Sequence, residues 1–209
     1  MVRRTKEEAL ATREKILDAA EWCFMAAGVS GTTIALIAAK AHCTRGAVYW
    51  HFRKPADLFR AVADRGRSRL ADRLETVLWS PSQVIHALRG CLQAYWKDIQ
   101  ENIHVRNTLE IELLWCDYAR PDFYQFRVEQ IHEQNQVMNL LRRIFERAAA
   151  LGELREDVSP AVCAALVGFA LPGALRASFM QPSADKYKQI AEAQAVIDAV
   201  LSHLACNEQ

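Results

Sequence analysis

Two threonines eleven positions apart, each opening a short apolar-periodic run, constrain this chain more than any other feature. In "TTIALIAAKAHCTRGAVYWHF", Thr33 precedes Ile34, Ile37 and Ala38, and Thr44 precedes a run that ends at His51. Threonine is a preferred helix N-cap because its hydroxyl oxygen accepts a bond from a first-turn amide that has no intrahelical partner. The spacing predicts one helix from Ile34 to about Lys40 and another from Thr44 through His51, with about four residues between them. Two short helices so joined form a helix-turn-helix, whose second helix enters the major groove of duplex DNA.

Apolar residues recur at helical steps through the rest of the chain. Only 8 Gly and 6 Pro are spread over 209 residues, so the expected fold class is all-α. The first helix runs from about Lys6 to Ala27, with Ile16, Ala20, Cys23, Phe24 and Ala27 on one stripe, and Gly28 stops it. Pro55 is placed as the first residue of a helix to about Leu78. Further helices are expected at about 82–100, 103–116, 122–151, 160–180 and 186–205, with a kink at Pro172. The expected domains are 1–54, a helix-turn-helix head, and 55–209, a larger helical body.

Charge separates the same two regions. Residues 1–60 carry a net +4, Arg3 and Arg4 included, and the remainder −3, which suits a polyanion partner for the head alone. Cys23, Cys43, Cys91, Cys116, Cys163 and Cys206 form no CxxC pair and no metal-ligand spacing; they read as reduced core thiols of a cytoplasmic protein with no metal and no cofactor. The N-terminus lacks an apolar leader core and no 18-residue apolar run is found, so no membrane partner is expected. Absence of a nucleophile elbow, a phosphate-binding glycine loop or HExxH argues against an enzyme.

Within the second short helix each residue acquires a task. Thr44 offers its hydroxyl, and the helix N-terminus its amides, to a phosphate. Arg45 reaches a base edge, with bidentate pairing to guanine as the expected mode. Gly46 and Ala47 are small and let the helix lie close to the bases. Tyr49 and His51 project toward the phosphate backbone, Val48 and Phe52 turn to the core with Ile37 and Phe24, and Trp50 suits either environment. Lys6, Thr33 and Lys54 complete the candidate DNA-contacting set.

The stretch "TREKILDAAEWCFMAAGVSGTTIALIAAKAHCTRGAVYWHFRKPADLF" resembles the DNA-binding domain of TetR-family transcriptional regulators, and "RRTKEEA" with "TRGAVYWHF" is similar to the AcrR-type subgroup that represses multidrug efflux pumps. The resemblance is specific over residues 3–60 and looser beyond. It implies a nine-helix fold, a homodimer, a double-stranded palindromic operator, and a body cavity for a small hydrophobic or aromatic inducer. Two positions depart from the family pattern: His42 stands where glycine is usual in the turn, and Lys54-Pro55 replaces Asn-Lys before the fourth helix.

The body carries bulky apolar stripes, and the resemblance implies that part of them lines the cavity. Candidate ligand-binding residues are Leu70, Leu74, Leu92, Tyr95, Trp96, Ile111, Leu114, Met138, Leu141 and Phe169, with Glu110 and Arg176 as polar groups in apolar settings. Glu110 equally suits a pair with Arg106 one turn earlier. A seam for a second copy is expected from the small residues Ala161, Ala164, Ala165, Gly168 and Gly173 together with Ile190, Ala193, Ile197, Val200 and Leu204. The resulting expectation is a repressor of an efflux operon. The alternatives are the same fold sensing a metabolite, or an all-helical enzyme or carrier.

Overall fold

The computed structural model describes residues 6–117, 121–182 and 185–205, the side chain of Asp122 excepted. Arg3, Arg4 and Cys206 lie outside the described residues. The described residues form ten α-helices and short π and 3-10 turns, with one isolated antiparallel bridge between Leu154 and Ala205. They divide into two compact units, one from the stretches up to Arg67 and from His104 to Arg127, the other from Ser68 to Ile103 and from Val128 onward.

The first unit gathers around the stripe of α1 (Lys6–Gly31), where Ile16, Leu17, Ala20, Cys23 and Phe24 are buried. Against it pack α2 (Ile34–Lys40), α3 (Arg45–His51), α4 (Pro55–Arg65) and the π-helical turn Ile111–Trp115 that continues α7 (Ile103–Glu110). Phe59 of α4 meets Phe24, Phe123 and Phe126 edge-on, at centroid separations of 5.7, 5.2 and 4.7 Å. Burying such a ring is worth about 1.5–3 kcal/mol, and each edge-to-face pair adds about 0.5–1.5 kcal/mol. This aromatic knot fixes the angle at which α4 leaves the helix-turn-helix.

Gly28 breaks α1 with φ 71° and ψ 164°, as its position implies, and one further turn carries the helix to Gly31. The expected continuous helix from Pro55 to Leu78 is overturned: α4 ends at Arg65 and α5 (Leu70–Leu78) starts anew. Gly66 is the C-cap, its N–H bonded to the Val62 carbonyl oxygen. A Cβ there would lie 2.0 Å from Thr108 Oγ1 and 2.3 Å from the His104 carbonyl oxygen, so only glycine fits against α7 at this point. Arg69, at φ 50°, then turns the chain into α5.

The second unit contains α5, α6 (Val84–Glu101), most of α8 (Tyr124–Ala150), α9 (Pro160–Phe179) and α10 (Lys186–Leu204). Helix termini leave orphan carbonyls and amides, and two side chains satisfy them here. Arg147 donates to the carbonyl oxygens of Leu78 and Ser80 at the end of α5, and Glu153 Oε2 accepts the Ile85 N–H at 3.0 Å at the start of α6. Along α10, Ile190, Ala193, Ile197, Leu201 and Leu204 are buried within the chain, where α10 packs on α9 and α6.

That packing corrects the expected seam: Ile190, Ala193, Ile197 and Leu204 face this chain's own core, as do Ala164 and Gly168. The outward face of α9 carries Val162, Leu166 and Phe169, with Val196 exposed on α10. Apolar on both faces, α9 contains an 18-residue window of mean hydropathy 1.6 and is long and apolar enough to cross a membrane by length and composition alone; Arg176 interrupts its apolar run, and its inner face packs on α10. The helix runs through Pro172.

Of the thiols, Cys23 and Cys163 are buried, whereas Cys43, Cys91 and Cys116 are half-buried rather than full core residues. Burial pushes the Cys91 thiol up to about 11, against the opposing charge of Arg73.

Candidate nucleic-acid interface

Both threonines cap as the spacing implies. Thr33 Oγ1 accepts the Leu36 N–H at 3.2 Å and Thr44 Oγ1 accepts the Ala47 N–H at 3.1 Å. A hydroxyl that accepts still has a proton to donate, so exposed Thr44 retains a donor at the N-terminus of α3. The turn between the helices closes on two bonds, Cys43 N–H to Ala38 O at 2.9 Å and His42 N–H to Ala39 O at 3.2 Å. This is the Schellman pattern, which requires a left-handed residue after the C-cap. His42 takes that position at φ 52°, a conformation that costs a non-glycine residue about 1 kcal/mol.

Seven residues make two turns of α3, and their faces separate cleanly. Val48 is fully buried, and Phe52, just past the helix, is 4% exposed in the core with Ile37 and Phe24. The opposite face presents Arg45 and Gly46, then Tyr49 and Trp50 one turn later, all exposed. Trp50 is 73% exposed and stands edge-on to His51 at 4.5 Å, which places it outside the core. His51 is half-buried between Trp50 and Phe52, and Ala47 is half-buried. The Arg13 guanidinium lies 5.2 Å over the Phe52 ring and holds it from the α1 side.

Gly46 is informative because the fold does not need it. A Cβ there would meet only Thr44 Oγ1 at 3.7 Å, an ordinary contact. The open surface it leaves is available to whatever docks on α3.

Lys54 is the extended residue before α4, exposed, and Asp57 Oδ2 accepts its backbone N–H at 3.1 Å. Lys6 is exposed at the start of α1. Of the other head cations, Lys40 is engaged, its ammonium 3.8 Å over the Trp22 ring.

The residues expected to line a ligand cavity are distributed between the units. Leu70, Leu74, Leu92, Tyr95, Trp96 and Leu141 are buried in the second unit, and Met138 is half-buried with its sulfur against Gly168. Phe169, 63% exposed, and Arg176 lie on the outer face of α9, which corrects their expected place among the lining residues: the register that buries Cys163, Val167 and Leu171 turns them outward. Glu110, Ile111 and Leu114 belong to the first unit. Glu110 is 4% exposed at the junction of α7 with the π turn, Ile111 joins the head's core, and Leu114 is half-buried. The indole Nε1 of Trp96 is buried without a hydrogen-bond partner among the described residues.

The first unit also holds a half-open cavity of about 580 Å³ beside the start of α4, floored by Phe24, Ile37, Phe59 and Phe126 and rimmed by Lys54 and Arg60.

Sequence reasoning missed a part-buried polar cluster on α1, α4 and α7, centred on buried Glu21. One signal pointed to it: Glu21 follows Leu17 by four residues and precedes Phe24 by three, an acid on the apolar stripe.

Comparison with known proteins bears on this geometry. The model of bacterial regulatory proteins of the tetR family matches residues 16–62, which span the helix-turn-helix and most of α4. The transcriptional regulator TtgR of Pseudomonas putida is 56% identical over 64 residues, 31% of this chain and 30% of that protein. AcrR of Shigella flexneri is 41% identical over 120 residues, 57% of this chain and 56% of its own. The chain thus matches between about a third and about half of these curated relatives' length. Solved structures extend the likeness to the whole chain. SmeT in complex with triclosan has a TM-score of 0.73 and 31% identity, covering 94% of this chain and 93% of that one. NalD of Pseudomonas aeruginosa, the secondary repressor of the MexAB-OprM multidrug efflux pump, has a TM-score of 0.74 and 25% identity, covering 97% and 100%.

Proposed function

Because the chain belongs to the tetR family of bacterial regulatory proteins, we propose that it is a cytoplasmic, ligand-responsive transcriptional repressor. It binds a palindromic operator as a homodimer and releases it to a small hydrophobic or drug-like inducer, and it controls a multidrug efflux operon. The observation that carries this reading is the outward face of α3. A capped helix, locked to the core by Val48 and Phe52, presents Arg45, Gly46, Tyr49 and Trp50 together, with Thr44 at its start. An arginine reads base edges in the major groove, a glycine permits close approach, and a hydroxyl at a helix N-terminus suits a phosphate.

Dimerisation is supported by the exposed face of Val162, Leu166 and Phe169 on α9, with Val196 exposed on α10. Exposed apolar side chains on one helix face favour a partner, and a two-fold pairing presents two copies of α3 to successive major grooves about 34–36 Å apart. The inducer is supported by Trp96. Its N–H, unpartnered among the described residues, sits in an apolar interior at a cost of about 1–3 kcal/mol, which a bound acceptor relieves.

Fluorescence anisotropy with duplex from the chain's own upstream region tests the reading against a scrambled duplex. Affinity for the specific sequence should exceed the other by about a thousandfold or more and fall steeply with salt. Equal affinity for both would refute operator recognition. Triclosan, the molecule bound in the SmeT structure, serves as trial inducer; Trp96→Phe, which keeps a ring and removes the donor, should weaken its binding by about 1 kcal/mol.

A further inference from the structure

Glu21 is withdrawn from water, its side chain 6% exposed. A carboxylate so placed needs donors, and they come from two other helices of the same unit. Arg65 Nη2 at the end of α4 donates to Oε2, Asn107 Nδ2 on α7 donates to Oε1 at 2.7 Å, and His104 Nδ1 lies 3.0 Å from Oε2. Arg65 is tied to α1 twice more, through Asp18 at 2.6 Å and Glu14 at 3.6 Å. Beside this cluster α4 and α7 meet without clearance. The vacant Cβ position of Gly66 is filled by Thr108 Oγ1 and the His104 carbonyl, and Thr108 Oγ1 donates to Val62 O at 3.3 Å.

The start of α7 therefore cannot approach α4 without a clash, and cannot withdraw without stripping donors from a buried carboxylate. Glu21 would keep Arg65 on α4 but lose two of its three partners, which is costly for a buried carboxylate, so α1 follows. Since α1 packs on both α2 and α3, any movement of α1 re-aims the exposed face of α3.

Resting on the reading of the chain as a regulator, we infer that Glu21 is a positioning residue: its carboxylate ties the end of α4 and the start of α7 to α1, so that displacement of α7 is delivered to α1 and through it to the recognition helix. Gly66 supplies a way to displace α7 without any ligand. In Gly66→Ala the added methyl acts as a wedge against His104 and Thr108. Glu21→Gln keeps the shape of the side chain, but its amide N–H₂ now faces donors, so the tie is cut on one side. The two substitutions together form a double-mutant cycle, in which coupling appears as non-additivity.

Hydrogen exchange on the full chain reads the cycle. With Glu21 in place, the wedge should raise exchange at residues 14–24 of α1 together with residues 103–108 of α7. In the Glu21→Gln background the wedge should still loosen α7 while its added effect on α1 falls by about tenfold, the size of ordinary coupling between contacting residues. An α1 response to the wedge that is the same in both backgrounds would overturn the assignment. Should Gly66→Ala not fold, Thr108→Val withdraws the hydroxyl from Val62 O without adding bulk and poses the same question. Titration of the upstream duplex, run in parallel, should show the wedge weakening DNA affinity only when Glu21 is present. A wild-type chain that ignores this duplex removes the regulator reading, while the exchange cycle still decides the link between α7 and α1.

Discussion

The outward faces of α3 and α9 are both exposed and both carry an aromatic ring, yet they suit opposite partners. On α3, Arg45 and the polar edges of Tyr49 and Trp50 surround the bare backbone at Gly46. On α9, Val162, Leu166 and Phe169 follow at steps of four and three, with Arg176 two turns beyond Phe169. The first face can pair with a polyanion at little desolvation cost because its donors keep partners. The second gains only by leaving water, which favours another apolar surface such as its own copy. Exposure alone therefore does not identify a functional face; the chemistry of what is exposed does.

The sharpest way to break this comparison is to place a charge on the two sides of the α9–α10 layer. Ile197 is fully buried, and Ile197→Glu should cost about 4 kcal/mol or more, since the carboxylate finds no donors in an apolar core. Thermal unfolding followed by circular dichroism should show a Tm lower by roughly 10 °C or more. Phe169→Glu, on the outer face, should leave the fold intact and convert dimer to monomer in sedimentation, with a collapse of operator affinity. A Phe169→Glu variant that stays dimeric would move the interface off this face.

The same pair explains what could be read from the sequence. Thr33 and Thr44 act within three residues of themselves, so caps, turn and helix limits around α2 and α3 followed from local spacing. Around α3 the core takes Val48 and then Phe52, Ala47 and His51 are half-buried at its edge, and Arg45, Gly46, Tyr49 and Trp50 are left outward. Helix α9 offers no such asymmetry: nearly every residue of "PAVCAALVGFALPGAL" is apolar, and which ones are buried depends on where α10 lies. Phe169 and Ile197 were interchangeable by pattern and opposite in place. The need for glycine after Arg65 was hidden for a related reason. Gly66 looks tolerable inside a helix, and only the presence of Thr108 and His104, about forty residues later, makes a side chain impossible there. The Glu21 cluster likewise joins α1 to residues more than forty positions away.

A sharper comparison of the α3 face separates recognition from stability. Arg45→Ala should weaken operator binding by about 1–3 kcal/mol and flatten the preference for operator over scrambled duplex. Gly46→Leu should weaken binding to both duplexes by obstructing close approach. Its Tm should hold or rise, since glycine in a helix costs about 0.5–1 kcal/mol relative to alanine. Equal losses on both duplexes for Arg45→Ala would remove its base-reading role. A fall in Tm for Gly46→Leu would show that the fold, and not a docking partner, requires the glycine.

The smallest expected effect lies in the turn that joins α2 to α3. His42 closes the Schellman pattern at φ 52°, where a side chain is strained by about 1 kcal/mol, although histidine tolerates the region better than most residues. Glycine removes that strain but brings a more flexible unfolded chain, which opposes the gain. The two terms leave a net stabilisation of roughly 0.5 kcal/mol for His42→Gly, equivalent to a rise in Tm of about 1–2 °C for a chain of this size. The backbone bonds Cys43 N–H to Ala38 O and His42 N–H to Ala39 O involve no His42 side-chain atom and should persist, so α3 keeps its aim and operator affinity stays within error of wild type. Calorimetry and an anisotropy titration on the one variant check both halves. Loss of DNA affinity with unchanged or raised Tm would show that the exposed imidazole touches the duplex, and would enlarge the recognition surface from α3 to the turn before it.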